Sequence, residues 1–166
     1  MAAYSFDGQS LEFDVRSSGS IRFRVQATDW AGNVGAWATG PVLSPRLVQS
    51  SSSAVRYAGR WRTGTGAAYS GGSTRFAKAA GASATYTFTG RSVGLVTTLG
   101  PTRGKVRVYV NGSYSTTVDL YAPTTQYRVV AWQRTWSSTA TRTVRLVVAG
   151  TPGRPRVDLD AFAVLK

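Results

Sequence analysis

The chain has 166 residues, of which 42% are hydrophobic, so it is long enough for one domain with a buried core. It contains no cysteine and no histidine, which excludes disulfides, zinc–thiolate sites and histidine-based catalytic triads. Only 7 acidic residues are available for paired-carboxylate chemistry. We therefore predict a binding or structural protein rather than an enzyme. No apolar run reaches the length of a membrane span, which predicts no membrane insertion, and no signal-peptide pattern opens the chain.

The basic excess is confined to the second part of the chain. There are 20 Lys and Arg residues against 7 Asp and Glu residues, for a formal net charge of +13. Residues 1–48 contain four of each sign, so residues 49–166 hold 16 basic and 3 acidic residues. This shift predicts two units, 1–48 and 49–166, joined by a polar, turn-forming stretch. Two explanations of the charge stay open here: a genome that favours arginine codons, and a polyanionic partner.

The first unit predicts short antiparallel strands. Apolar and polar residues alternate over 11–15 and 21–27, and the loop between them is short enough for a hairpin. Aligning the apolar faces places Glu12 opposite Arg24, which is a favourable cross-strand pair. Residues 29–33 then predict a turn into a further short strand.

The second unit predicts a larger set of strands without helices between them. Alternating or apolar stretches occupy residues 82–89, 93–97, 105–110, 126–133, 142–148 and 157–165. Asn111-Gly112 is a hairpin signal, and we predict a three-residue loop with a bulge at Gly112. That register puts Val106 and Val108 on one face with Val118. Because no crossover helices are present, an antiparallel β-sandwich or jelly roll is predicted.

Five stretches of the second unit carry a resemblance to a known family. They are YAGRW (57–61), GASATYTFTG (81–90), GPTRGKVRVYVNG (100–112), VDLY (118–121) and VDLDAF (157–162). Through them, residues 55–165 resemble the galactose-binding-like jelly-roll modules at the C-termini of secreted bacterial proteins, especially actinobacterial ones. Residues 11–43, with FRVQATDWAGN at 23–33, resemble the last strands of a fibronectin type III or immunoglobulin-like domain.

The resemblance implies an all-β chain, in which a partial immunoglobulin-like sheet (1–48) precedes an antiparallel β-sandwich or jelly roll (49–166). It also implies an extracellular or cell-surface location and a non-catalytic role in binding carbohydrate or an anionic cell-wall polymer. Fold does not dictate ligand, so the sugar itself is not specified.

Aromatic residues near loops are the candidate ligand contacts, because sugar sites place an aromatic ring against the apolar face of a pyranose. Trp61 and Trp132 lie in strand-like contexts and are expected in the core. The predicted register brings Tyr121 opposite residues 101–103, so Arg103 and Tyr121 are expected to share a rim. The candidate ligand-binding residues are Arg103, Tyr121, Trp136 and Tyr69.

Asp158 and Asp160 alternate on the last predicted stretch and therefore share a face. A glycosidase pair would need a cleft and a raised pKa on one partner, and we rank it low. The family resemblance implies a structural calcium ion held by Asp160. The acidic partner that the family has near the start of the module is missing here, since residues 49–61 contain no Asp or Glu. The alternative is an arginine-paired or capping carboxylate. No other cofactor is expected.

A second copy of the chain and nucleic acid are two further candidate partners. Three strands cannot close a sandwich, so residues 11–27 would leave an apolar face and an open edge. Three ways of covering it stay open: packing on the jelly roll, completion by further sequence, or a strand from a second copy in a homo-oligomer. The runner-up function is therefore a structural subunit of an extracellular fibre or surface assembly, joined by β-strand complementation. Nucleic acid ranks below both, because the arginines are spread over the module and no nucleic-acid-binding motif is present.

Overall fold

A computed structural model describes residues 19–166 of the protein. The predicted 11–15 strand, and with it half of the predicted first hairpin, lies outside this range. Within it there are twelve strands and one short 3-10 turn (Ser70–Gly72), and no helix is long and apolar enough to cross a membrane. The strands are β1 (Ile21–Val25), β2 (Ala38–Leu43), β3 (Pro45–Gln49), β4 (Val55–Ala58), β5 (Arg62–Thr65), β6 (Ser73–Ala77), β7 (Ser83–Leu99), β8 (Lys105–Val110), β9 (Ser113–Asp119), β10 (Gln126–Val148), β11 (Val157–Leu159) and β12 (Ala161–Leu165).

The strands of the described range form three sheets. β1 and β2 form a two-stranded ribbon, and β11, β6 and β5 form a small sheet in that order. The large sheet has the order β3-β12-β7-β10-β8-β9, and β4 also pairs with β7. All these strand pairs are antiparallel, which confirms the predicted all-β antiparallel sandwich.

One core lies between the large and the small sheet. Its largest fully buried side chains include Phe162, Leu95, Leu120, Leu146 and Leu159. Each such side chain contributes about 1.5–3 kcal/mol when it leaves water. Buried residues alternate with more exposed ones over residues 84–89 of β7 and 142–148 of β10, so these parts of the long strands face the core with every second residue, whereas residues 93–98 of β7 are buried throughout.

The structure joins strands that the sequence separates. The predicted stretches 82–89 (from Ser83 onward) and 93–97 lie on the single strand β7, and β10 likewise runs through both 126–133 and 142–148. The cause at β7 is Gly90, where a Cβ would stand 2.7 Å from the Leu165 carbonyl oxygen. Gly90, which in the sequence suggests a turn, therefore lies within a continuous β7 and lets β12 approach it closely.

The β8–β9 hairpin corrects the predicted loop. Val110 pairs with Ser113, so the loop has two residues, Asn111 (φ 49°) and Gly112 (φ 83°), as a type I′ turn requires. The extra residue is Ser115, because Tyr109 pairs with Tyr114 while Val108 pairs with Thr116. Beyond this bulge the register is the predicted one, and Val106 pairs with Val118.

The ribbon precedes the sandwich. β1 pairs with β2 from Ile21↔Leu43 to Val25↔Ala38, and the turn at 29–33 is capped by the Asp29 carboxylate, which accepts bonds from the backbone of Ala31 and Asn33. β3 crosses the expected boundary at 48/49 but pairs with β12 in the large sheet. The change of sheet therefore falls at Ser44, and the division into two domains stays a prediction.

Candidate functional site

The three carboxylates of residues 49–166 are all engaged. Asp119 accepts two bonds from Arg154, at 2.7 and 2.9 Å. Asp158 accepts from both Arg103 and Arg156, and both oxygens of Asp160 accept from the Ser70 backbone amide at 3.0 Å. No carboxylate of residues 49–166 is therefore left over for the remaining basic residues of this unit.

A hollow of about 400 Å³ lies at the small sheet and is bordered by cations. Its lining is Arg60, Arg62, Phe76, Ala77, Lys78, Ala79 and Arg156. We call this surface the cationic hollow. The strand register explains why these residues converge: Arg62 of β5 and Asp158 of β11 pair with Phe76 of β6 from opposite sides. Paired residues point to the same face, and Lys78 and Arg156 lie two positions away on their own chain segments.

Arg156 is the fixed cation of the cationic hollow. Its guanidinium carbon stands 4.0 Å from the centroid of the Phe76 ring, and its Nε and Nη2 donate to Asp158 at 3.0 and 2.6 Å. Burial lowers the pKa of Arg156, but the bonds to Asp158 and the nearby Tyr69 outweigh burial and raise it. Arg156 is therefore a positioned, permanently charged donor.

The other cations of the hollow are exposed and form no ion pair within the range that the structure describes. They are Arg60, Arg62 and Lys78. With Arg156 they make four cations that line the hollow, and of these only Arg156 is paired with a carboxylate, that of Asp158. Such a site attracts an anion, and guanidinium groups bind carboxylate, sulfate or phosphate oxygens by charge-assisted hydrogen bonds.

The expected rim of Arg103 and Tyr121 takes a different form. Arg103 is 8% exposed and holds the buried Asp158, so its side chain supports the hollow from behind. Tyr121 is 53% exposed, and Arg154 covers its ring at 5.0 Å. Tyr121 thus lies at a rim, with Arg154 and not Arg103 as its cationic neighbour.

The remaining aromatic candidates are separated from one another. Trp136 is half-buried against Phe88, with Arg142 at 4.3 Å from its ring. Tyr69 packs edge to face against Tyr127 at 5.3 Å. Only Tyr69 adjoins the cationic hollow, through Arg156. The roles of Tyr121, Trp136 and Tyr69 in ligand binding stay predictions.

Asp160 does not have the surroundings of a calcium ligand. Its carboxylate accepts the Ser70 amide, and the charge of Arg128 acts on it as well. Burial raises the pKa of Asp160, and the bond from Ser70 only partly opposes this. Residues 19–166 contain no group of three or more Asp, Glu, His or Cys residues that could hold a metal. One carboxylate that faces an N–H donor and a cation does not amount to the oxygen cage that calcium needs.

Sequence reasoning missed the cationic hollow. The pairs Arg60/Arg62 and Arg156/Asp158 are visible as alternating charges, but they are about 95 residues apart in the chain, and only the pairing of both β5 and β11 with β6 unites them.

Comparisons with known proteins place the fold. Neither a comparison with protein families nor one with curated proteins gives a match. Among solved structures, the chain is similar to a family two carbohydrate esterase from Cellvibrio japonicus, with 14% identity and a TM-score of 0.54 over 74% of this chain and 34% of that one. It is similar to a Paenibacillus xanthan lyase, with 14% identity and a TM-score of 0.54 over 71% of this chain and 13% of that one.

It is also similar to an exo-β-1,3-galactanase from Phanerochaete chrysosporium, with 19% identity and a TM-score of 0.51 over 78% of this chain and 30% of that one. The chain spans about a third or less of these three proteins. At such identities the likeness shows a shared β-sandwich fold and nothing of the ligand.

Proposed function

We propose that this protein is a non-catalytic, extracellular module that binds an anionic carbohydrate or cell-surface polymer at the cationic hollow. The observation that carries the proposal is the convergence of four cations, Arg60, Arg62, Lys78 and Arg156, on one hollow, in which only Arg156 is paired with a carboxylate. The β-sandwich shared with parts of carbohydrate-active proteins supports a glycan as the polymer.

The hollow favours charge over stacking as the mode of recognition. The Phe76 ring, which could stack on a sugar, already carries the Arg156 guanidinium on one face. Arg60, Arg62 and Lys78 offer donors, and the one carboxylate of the site has its oxygens engaged by arginines. An acidic sugar therefore meets partners that a neutral sugar lacks, and its binding weakens as salt rises.

The test compares an oligogalacturonate with its fully methyl-esterified counterpart by calorimetry at several salt concentrations. We expect the acidic form to bind and the ester to bind at least tenfold more weakly. Arg62→Gln removes one charge-assisted contact and is expected to cost roughly 1–3 kcal/mol of binding. Arg46→Gln, an exposed change on β3 with the same loss of charge, is the control. Equal binding of both ligands, or equal effects of both substitutions, would contradict the proposal.

A second candidate function is a subunit that assembles with copies of itself. The observation that favours it is the ribbon, on which Val25, Trp37 and Val42 are exposed. Residues 11–27 would then bury an apolar face by strand complementation with a second copy. Light scattering over a wide concentration range tests this role, with Val25→Thr as the variant. A monomer at every concentration counts against assembly, while oligomers that Val25→Thr weakens count for it.

A further inference from the structure

The outer face of the large sheet carries a continuous row of polar and aromatic side chains. The row runs across five strands, β4, β7, β10, β8 and β9. Its members are directly paired in the order Arg56↔Thr85, Thr85↔Arg145, Arg145↔Tyr109 and Tyr109↔Tyr114. Paired residues share a face, and four strand spacings make the row about 19 Å long.

Neighbouring rows extend this face with hydroxyl groups and one more cation. Arg107, two positions before Tyr109, pairs with Val147 and Thr117. On the other side, the hydroxyls of two cross-strand threonine pairs are hydrogen-bonded to each other at 2.9 and 2.8 Å. These pairs are Thr87–Thr143 and Thr89–Thr141. We call the surface formed by Arg56, Arg107, Arg145, Tyr109, Tyr114 and the four threonines the arginine–threonine face.

The three arginines of this face are exposed and have no ion pair among residues 19–166. The one carboxylate near its edge, Asp119, pairs with Lys105 in the register and is already held by Arg154 through two hydrogen bonds. The arginine–threonine face therefore presents positive charge and hydroxyl groups on a broad surface, and no acid of residues 19–166 is ion-paired with its arginines.

The arginine–threonine face and the cationic hollow lie on opposite sides of the molecule. On the small sheet, Val157 and Leu159 face the core while Asp158, with its partner Phe76, lies on the other face of the sheet, where Arg103 and Arg156 bind its carboxylate. On the large sheet, Val144 and Leu146 face the same core while Arg145 points away from it. The sandwich core separates the two surfaces, so one short ligand cannot contact both.

We infer that the arginine–threonine face binds a second stretch of acidic glycan, so that one module bridges two polymer chains. This inference rests on the proposed function for the class of ligand. Charge complementarity selects an anion, and the threonine hydroxyls offer partners for sugar hydroxyls. Single-stranded nucleic acid would need open aromatic faces for its bases, whereas Tyr109 and Tyr114 pack edge to face against each other at 5.8 Å.

Two triple variants with the same loss of charge separate the surfaces. The face variant is Arg56→Gln/Arg107→Gln/Arg145→Gln, and the hollow variant is Arg60→Gln/Arg62→Gln/Lys78→Gln. Each replaces the cations by shorter, neutral and polar side chains and so removes three positive charges at exposed positions. Unfolding midpoints equal to that of the unaltered chain show that each variant is folded. Native mass spectrometry then counts short oligogalacturonates bound per chain, and turbidity reports the cross-linking of long polygalacturonate.

The expected result is two oligomers per unaltered chain, one per face variant and one per hollow variant. Cross-linking by either variant should fall at least tenfold, since each keeps one binding surface. If the face variant binds one oligomer while the hollow variant still binds two, this inference is supported. The proposed role of the cationic hollow is then wrong.

A face variant that binds as many oligomers as the unaltered chain overturns the inference and leaves the proposed function standing. An unaltered chain that binds no oligogalacturonate overturns both. A single-stranded oligonucleotide is the last probe. If the face variant loses oligonucleotide binding but keeps both oligogalacturonates, a glycan is the wrong occupant.

Discussion

Replacing Asp158 by asparagine tests the network that positions the cationic hollow. Asp158 is fully buried and accepts bonds from Arg103 at 2.9 Å and Arg156 at 2.6 Å. The substitution keeps the shape and one acceptor oxygen but removes the negative charge. The Arg156 side chain is 22% exposed and can turn toward water, whereas that of Arg103 is 10% exposed and stays desolvated.

The expected loss of stability follows from that difference. Removing one partner of a buried ion pair costs about 3–5 kcal/mol, because the remaining charge is left buried without compensation. Since only Arg103 stays fully desolvated, we expect the lower end, about 3 kcal/mol. Asp119→Asn is the matched control, because Asp119 accepts two hydrogen bonds from Arg154, but the side chains of Asp119 and Arg154 are 39% and 25% exposed. It should cost about 0–1 kcal/mol.

Urea unfolding of the full chain measures both changes. The double variant Asp158→Asn/Arg103→Met should recover part of the loss, because it removes the stranded cation together with its partner. Equal effects of Asp158→Asn and Asp119→Asn would refute the reasoning, as would a double variant no more stable than Asp158→Asn alone.

Two other predictions concern a surface carboxylate and a buried glycine. The hydrogen bonds from Arg154 lower the pKa of Asp119 from 3.8 to about 2, so the pair stabilises the fold above pH 3.8 and loses this contribution as the pH falls through about 2. An NMR titration should show this value, and Arg154→Gln should return it toward 3.8. Gly104→Ala should cost about 1–3 kcal/mol in urea unfolding, because its Cβ would press on the Arg154 carbonyl oxygen, whereas Gly100→Ala, with its nearest contact at 3.4 Å, should cost less.

The fold class follows from the sequence because alternation is a local signal. Residues 105–110 alternate, and β8 occupies the same residues. The predicted length of the hairpin loop was wrong, and the reason is also local. Asn111-Gly112 forms a two-residue turn, as its sequence favours. The bulge at Ser115, farther along the hairpin, then shifts the register by one residue, so that the apolar side chains of β8 and β9 lie on the same face.

The site was predicted less well, because its geometry depends on long-range pairing. Arg103 follows a Gly-Pro loop and looks exposed in the sequence, but the buried Asp158, 55 residues later, draws it inward. The cationic hollow needs β6 between β5 and β11, and no local pattern specifies that order. Local chemistry indicates which residues are charged, and tertiary pairing decides which of them converge.

The net charge has a more specific origin than codon preference. A preference for arginine codons exchanges lysine for arginine, and 17 arginines against 3 lysines agree with it, but that exchange leaves the charge unchanged. The excess comes instead from the scarcity of carboxylates, with 3 in residues 49–166. Each of these is held by an arginine or a backbone amide, so none is left to neutralise the cations of the cationic hollow or the arginine–threonine face. Codon preference does not account for missing acids, whereas a polyanionic partner does, because any spare carboxylate on these surfaces would repel it.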